Sequence, residues 1–184
     1  KEMGEAEVTT DGGFVTLNLK LNEKHLWEVN KGGLYDLVLT FCDDKVNSYF
    51  GLRDIDYRDY KFFLNGKSVF QRLILDQGFY PDGLYTAPSD SELEADVLRG
   101  LEMGFNGARK HQKFEDPYYY YYADELGLLT WCEMPSSYNF NTDEVSYVTK
   151  EWQEIVNTAK KFSSIITYVP VNESWGIRKA LTSK

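Results

Sequence analysis

The chain has 184 residues, 42% of them hydrophobic and 16% aromatic, enough to bury a core in one ordinary domain or two small ones. Twenty-nine acidic against 20 basic residues leave a net charge of −9, which disfavours nucleic acid and anionic membrane as partners. No apolar run approaches the ~20 residues of a membrane span. The two histidines disfavour a multi-histidine metal centre, and Cys42 and Cys132, without zinc or redox spacing, read as free thiols. No signal-peptide pattern opens the chain, and the cytoplasm is favoured over periplasm or secretion.

Residues 8–55 read as β. Segments 14–21 and 34–41 alternate with period two, as half-buried strands do, and 45–52 is a third candidate. Short antiparallel strands at this spacing predict part of an immunoglobulin-like sandwich over 1–56. Past Asp56, Asn65-Gly66 between Phe62-Phe63-Leu64 and Ser68-Val69-Phe70 fits a two-residue hairpin turn.

Strand and helix then alternate. Leu73-Ile74-Leu75 is a strand core, and Ser89-Asp90-Ser91-Glu92 is a capping box opening a helix that Gly104 can close. Residues 105–110 form the next strand, and Asp116-Pro117 starts a helix through five tyrosines, stopped at Gly127. Leu128 to Glu133 is a third strand. Val145, Val148, Trp152, Ile155, Val156, Ala159 and Phe162 keep helical spacing, and Ile165 to Val171 is a fourth strand. Four strands joined by three helices call for a parallel sheet with right-handed crossovers. No glycine-rich phosphate loop follows any strand, which argues against a nucleotide fold. The pattern therefore predicts, over 57–184, the first four units of a (β/α)8 TIM barrel, half of the roughly 250 residues such a barrel takes. A half barrel would leave two sheet edges and an apolar inner face open, so association or poor solubility in isolation is expected.

The predicted strands end in Asp76, in Arg109, Lys110 and His111, in Glu133, and in Asn172-Glu173 before Ser174-Trp175. Ends of parallel barrel strands converge on one face, so Asp76, Arg109, His111, Glu133, Asn172 and Glu173 are candidates to line a single cleft, with Trp175 beside them. Glycoside hydrolysis needs two carboxyl groups flanking the bond, one held protonated and one ionised. Glu173 suits the proton donor, Asn172 a hydrogen bond to a sugar hydroxyl, and Arg109 can hold a carboxylate ionised. Glu133 reads as a binding or supporting residue.

Five segments in order carry a resemblance to glycoside hydrolase family 2, the family of β-galactosidases, β-glucuronidases and β-mannosidases. Tyr49-Phe50-Gly51-Leu52-Arg53 resembles the exit from the family's immunoglobulin-like domain, and residues 62–69 resemble the hairpin before its first barrel strand. Residues 103–109, 126–133 and 165–174 resemble its MGFNxxR, GLLVWxE and IITWxxxNES strands. The resemblance implies that Glu173 is the general acid/base, with Asn172 beside it and Arg109 in the substrate pocket. It also implies a nucleophilic glutamate on a seventh strand, beyond this chain. Two local departures stand out: Lys110-His111-Gln112-Lys113 replaces Ser-His-Tyr-Pro, and Tyr168 replaces a tryptophan.

The expected protein is thus part of a retaining exo-β-glycosidase without cofactor or metal, acting on terminal β-linked sugars and oligomeric in its full-length form. The segment alone is expected to be inactive. A β-galactosidase is favoured because the Asp76 to Tyr85 turn, within residues 75–90, resembles a subgroup usually described that way, with β-glucuronidase close behind and β-mannosidase an alternative. Two other readings compete. One is a non-catalytic carbohydrate-binding or structural fragment. The other is an aldolase-type barrel, for which Lys110 is the one candidate Schiff-base amine.

Overall fold

The computed structural model describes residues 3–139 and 141–173. Strands β1 (Leu34–Phe41) and β2 (Asp44–Gly51) form an antiparallel hairpin, with Leu34 opposite Gly51 and Phe41 opposite Asp44. Strands β3 (Ile55–Arg58), β4 (Lys61–Leu64) and β5 (Lys67–Ser68) make a small antiparallel sheet. Its second turn is the Asn65-Gly66 pair, at φ 52° and 75°, the left-handed geometry a type I′ turn demands. Its first turn is Asp59-Tyr60, also at positive φ, a turn without the usual glycine.

The 14–21 segment, expected to be a strand, is not one. Phe14, Val15 and Leu17 are exposed and pair with no strand among the described residues, and before Leu34 only a single bridge, Glu28 to Gly32, is described. Alternation tells which face a strand would bury, but a strand also needs a neighbour to satisfy its N–H and C=O groups. The described residues supply none there, and among them the β structure ahead of Ile55 is one hairpin and the Glu28–Gly32 bridge.

The remainder alternates as expected: β6 (Leu73–Asp76), α1 (Asp90–Glu102), β7 (Gly107–Lys110), α2 (Pro117–Leu126), β8 (Leu129–Glu133), α3 (Thr142–Ala159) and β9 (Ile165–Val169). All pairings are parallel and the strand order is β6-β7-β8-β9. Local chemistry sets the helix ends. Ser89 Oγ accepts from Glu92 N at 3.3 Å, but the Glu92 carboxylate pairs with Arg99 at 2.6 Å, so the capping box is made on one side only. At the other end of α1, Phe105 N donates to Gly100 O and Gly104 N to Leu101 O around Gly104 at φ 87°, the Schellman arrangement. Asp116 caps α2 with Pro117 in its first turn, and Asn141 caps α3.

Two apolar clusters sandwich the sheet. Leu93, Val97, Ala108, Tyr119, Tyr120, Cys132, Phe162 and Ile165 fill the side covered by helices. Trp27, Phe62 and Leu64 close the opposite side against Leu73, Leu129 and Ile166, at the N-terminal ends of β6, β8 and β9. The small β3–β5 sheet, with Trp27, thus plugs one end of the parallel sheet and leaves the C-terminal strand ends free of that plug.

Trp27, fully buried, donates its indole N–H to Asp124 O at 2.6 Å. Tyr49 reaches Asp124 Oδ2 at 3.1 Å, and Arg53 donates to Ile165 O at 2.7 Å. These bonds tie the β1–β2 hairpin and its approach to α2 and β9.

Candidate functional site

Side chains alternate across a parallel sheet, so the strand ends separate into two sets. Ala108 and Lys110 of β7, with Cys132 of β8, face the helices. Arg109 of β7, with Leu129, Trp131 and Glu133 of β8, faces the other way. A register shift opposite Thr130-Trp131 pairs Ile165 with Thr130 and Thr167 with Trp131, so Ile166 is an extra residue. That bulge lays Thr167 and Val169 on the Arg109 face and leaves Tyr168 beside Trp152 on the helix side, ring centroids 6.3 Å apart.

On the Arg109 face, the guanidinium makes a two-pronged contact with Glu133: Nε donates to Oε2 at 2.7 Å and Nη2 to Oε1 at 3.1 Å. Nη2 also donates to Asn172 Oδ1 at 2.8 Å. Glu133 is fully buried and Arg109 is 30% exposed, so the carboxylate sits at the bottom and the cation at the rim. The Glu133 hydrogen bond, opposed by burial and aided by the charges of Glu133 and Glu173, raises the guanidinium's pKa above its ordinary value. Glu173 itself is exposed, with φ 54° in the left-handed region, next to an Asn172 that is 7% exposed.

The structure therefore brings together Arg109, Glu133 and Asn172, with Glu173 on the adjoining turn. Asp76 goes elsewhere. Paired in register with Lys110, it faces the helices, accepts from Lys110 Nζ at 2.5 Å and caps Gly78 N at 2.7 Å. Lys110 is fully buried between Asp76 and Glu115, 2.9 Å away, with its ammonium 4.3 Å from the centre of the Tyr119 ring. An amine paired twice and turned from the Arg109 face is poorly placed as a nucleophile, which weighs against the aldolase reading. His111, two residues past Arg109, contacts Gln77 just beyond β6, Nδ1 to Nε2 at 3.0 Å, and among the described residues makes no hydrogen bond to Glu133 or Asn172. Trp175 lies outside the described residues.

Sequence reasoning missed two participants. Ser136 and Gln112 sit in the loops after β8 and β7 and hydrogen-bond into the site. The one available signal was their place just past strand ends. It also missed the second ion cluster, where Lys113 joins Glu115 at 2.9 Å and donates to Gly78 O and Tyr85 O, pinning the loop after β6. Gly78 leaves room for that cluster: at φ 65°, a Cβ would lie 2.5 Å from Glu115 Oε2 and 2.7 Å from Lys113 Nζ and push both side-chain ends aside. A separate cavity of about 280 Å³, lined by Pro135, Val148, Trp152, Pro170 and Val171, opens toward α3 and includes none of Arg109, Glu133 or Asn172. Among the described residues, no group of three or more His, Cys, Asp or Glu is placed to hold a metal ion. Burial pushes the Cys132 thiol up to about 12, leaving it unreactive on the helix side.

The arrangement is a parallel α/β unit with an antiparallel cap at one end and, at the other, a carboxylate turn beside a guanidinium–amide pair. No protein-family profile matches the chain. It is 29% identical over 162 residues to a putative β-glucuronidase of Formosa agariphila, covering 82% of this chain and 19% of that protein. It is 28% identical to a β-galactosidase of Thermoanaerobacterium thermosulfurigenes, covering 84% of this chain and 22% of that one. Among solved structures, a Bacteroides uniformis β-glucuronidase superposes with a TM-score of 0.71 at 25% identity, over 83% of this chain and 19% of that one. A Parabacteroides merdae β-glucuronidase gives 0.76 at 20% identity, over 86% and 21%. The chain spans about a fifth of the length of these relatives.

The resemblance to glycoside hydrolase family 2 carried by the motifs thus holds in sequence and in fold. The chain is related to bacterial β-glucuronidases and β-galactosidases, which are glycoside hydrolases.

Proposed function

We propose that this chain supplies the acid/base part of a retaining exo-β-glycosidase, with Glu173 donating a proton to the departing glycosyl oxygen and later taking one from water. The observation that carries the reading is the Arg109–Glu133–Asn172 group at the C-terminal ends of parallel strands, the end where barrel enzymes keep their chemistry. In this reading Asn172 and Arg109 meet the sugar, while Glu133, with both oxygens committed to Arg109, orients the guanidinium. The four strands lie in sequence order. With right-handed crossovers all three helices then cover one face, as in a barrel, whereas an open doubly wound sheet reverses its order. We therefore assign residues 57–184 to the first half of a (β/α)8 catalytic domain and 1–56 to the end of a β module.

Double displacement with retention needs a second carboxylate about 5–5.5 Å from the first. The nucleophile is assigned to a later strand, in line with the fifth of its relatives' length that the chain spans. β-Galactosidase and β-glucuronidase are equally supported as activities, since relatives of both names match. Assaying the complete protein on aryl β-galactosides and aryl β-glucuronides chooses between them. Glu173→Gln should slow glycosides with poor leaving groups by about 10²-fold or more, and activated dinitrophenyl glycosides far less. Equal loss on both would show that Glu173 is not the acid.

A further inference from the structure

We infer that Ser136 is a positioning residue for Glu173, acting through a closed ring of hydrogen bonds that joins three strand ends. This rests on the assignment of Glu173 as proton donor. The ring runs as follows. Glu133 Oε1 accepts from Gln112 N at 3.2 Å. Gln112 Oε1 accepts from Ser136 N at 3.3 Å. The Ser136 hydroxyl accepts from Asn172 N at 3.2 Å and donates to Asn172 O at 3.1 Å, so a single side chain grips both backbone groups of one residue. Asn172 Oδ1 accepts from Arg109 Nη2, and Arg109 returns to Glu133.

Two residues attached to this ring, Gln112 and Glu173, both sit at φ 54°. Neither is glycine, and such conformations persist only where surrounding bonds over-determine them. For Glu173 the clamp falls on the residue immediately before it. The Asn172 side chain is held by Arg109, but only Ser136 fixes its backbone from a side chain among the described residues. The direction in which the next residue leaves the strand therefore depends on that hydroxyl. A proton donor loses efficiency steeply when displaced from the leaving oxygen, by up to about 10²-fold for 1 Å.

The test uses the complete protein and whichever aryl β-glycoside it turns over, comparing a poor phenol leaving group with 2,4-dinitrophenolate. The readout is the ratio of the two rates, which does not depend on how much of a variant is folded. Ser136→Ala should lower the ratio by about tenfold, in the same direction as Glu173→Gln. Ser136→Thr, which keeps a hydroxyl, should restore it, and Ser136→Val, matched to Thr in shape, should not. A wild-type ratio in Ser136→Ala beside a lowered one in Glu173→Gln overturns this inference and leaves the acid assignment standing. A wild-type ratio in Glu173→Gln overturns both.

Discussion

Arg109 shows how one side chain can organise a site from two strands and a loop. Its planar fork matches the Glu133 carboxylate, and the spare Nη2 hydrogen reaches Asn172. A lysine could not make both contacts with that geometry. Glu133 is fully buried, so Arg109→Met would leave a carboxylate without its cation in a dry environment. The expected cost is about 3 kcal/mol, checked by urea unfolding, whereas Arg109→Met combined with Glu133→Leu should recover most of it. Sequence reading could nominate Arg109, Glu133 and Asn172 because charged and amide groups are seldom placed at strand ends without partners. It could not separate Asp76 from them. Asp76 also ends a strand, but the phase of the pleat turns it to Lys110 on the helix side, and one residue of phase is below what a four-residue strand signals.

At the scale of elements, helix ends were legible because their chemistry is local. Ser89, Asp116, Gly104 and Gly127, the ends of α1 and α2, each do what their residue type favours, and each needs only neighbours within a few residues. Gly127 adds a tertiary demand. It closes α2 at φ 81°, and a Cβ there would lie 2.5 Å from Lys31 N and 2.7 Å from both Asn30 N and Glu28 O. The strain of a left-handed alanine, about 1 kcal/mol, thus comes with a backbone clash that no rotamer relieves. Gly127→Ala should destabilise by at least about 2 kcal/mol and lower the melting temperature by several degrees in thermal unfolding. Alanine at Gly66, whose Cβ position meets nothing within 4 Å, should cost only the conformational part.

Over the whole molecule, Asp124 is the point where the parts meet. Its backbone carbonyl holds the Trp27 indole, Oδ2 the Tyr49 hydroxyl and Oδ1 the Ser164 N–H at 2.6 Å, just ahead of β9. Burial outweighs those hydrogen bonds and raises its carboxyl above the ordinary 3.8. The folded chain then binds this proton more tightly than the unfolded chain. The group's contribution is full below pH 3.8 and is lost as pH rises through the folded value. Asp124→Asn keeps an acceptor for Ser164 and carries no charge. Its stability relative to the parent should improve as pH is raised from about 3.5 to 7, as measured by denaturant unfolding at each pH. A difference that stays constant across that range would show that burial does not perturb Asp124.

The alternation of strands and helices after residue 56, the caps of α1 and α2 and the Asn65-Gly66 turn were all determined by sequence alone, since each reflects periodicity or turn chemistry confined to a short stretch. The family resemblance was equally legible, because five motifs in order need no geometry to be recognised. Tertiary structure decided the rest. Segment 14–21 alternates like a strand but finds no partner among the described residues, and pairing is a property of two segments, never of one. The Ile166 bulge sets the phase of β9 and with it the approach to Asn172-Glu173, yet nothing in Ile165-Ile166-Thr167 announces an extra residue. The ring through Gln112 and Ser136 joins loops far apart in sequence, so only the parallel register of β7, β8 and β9 could bring it to a close.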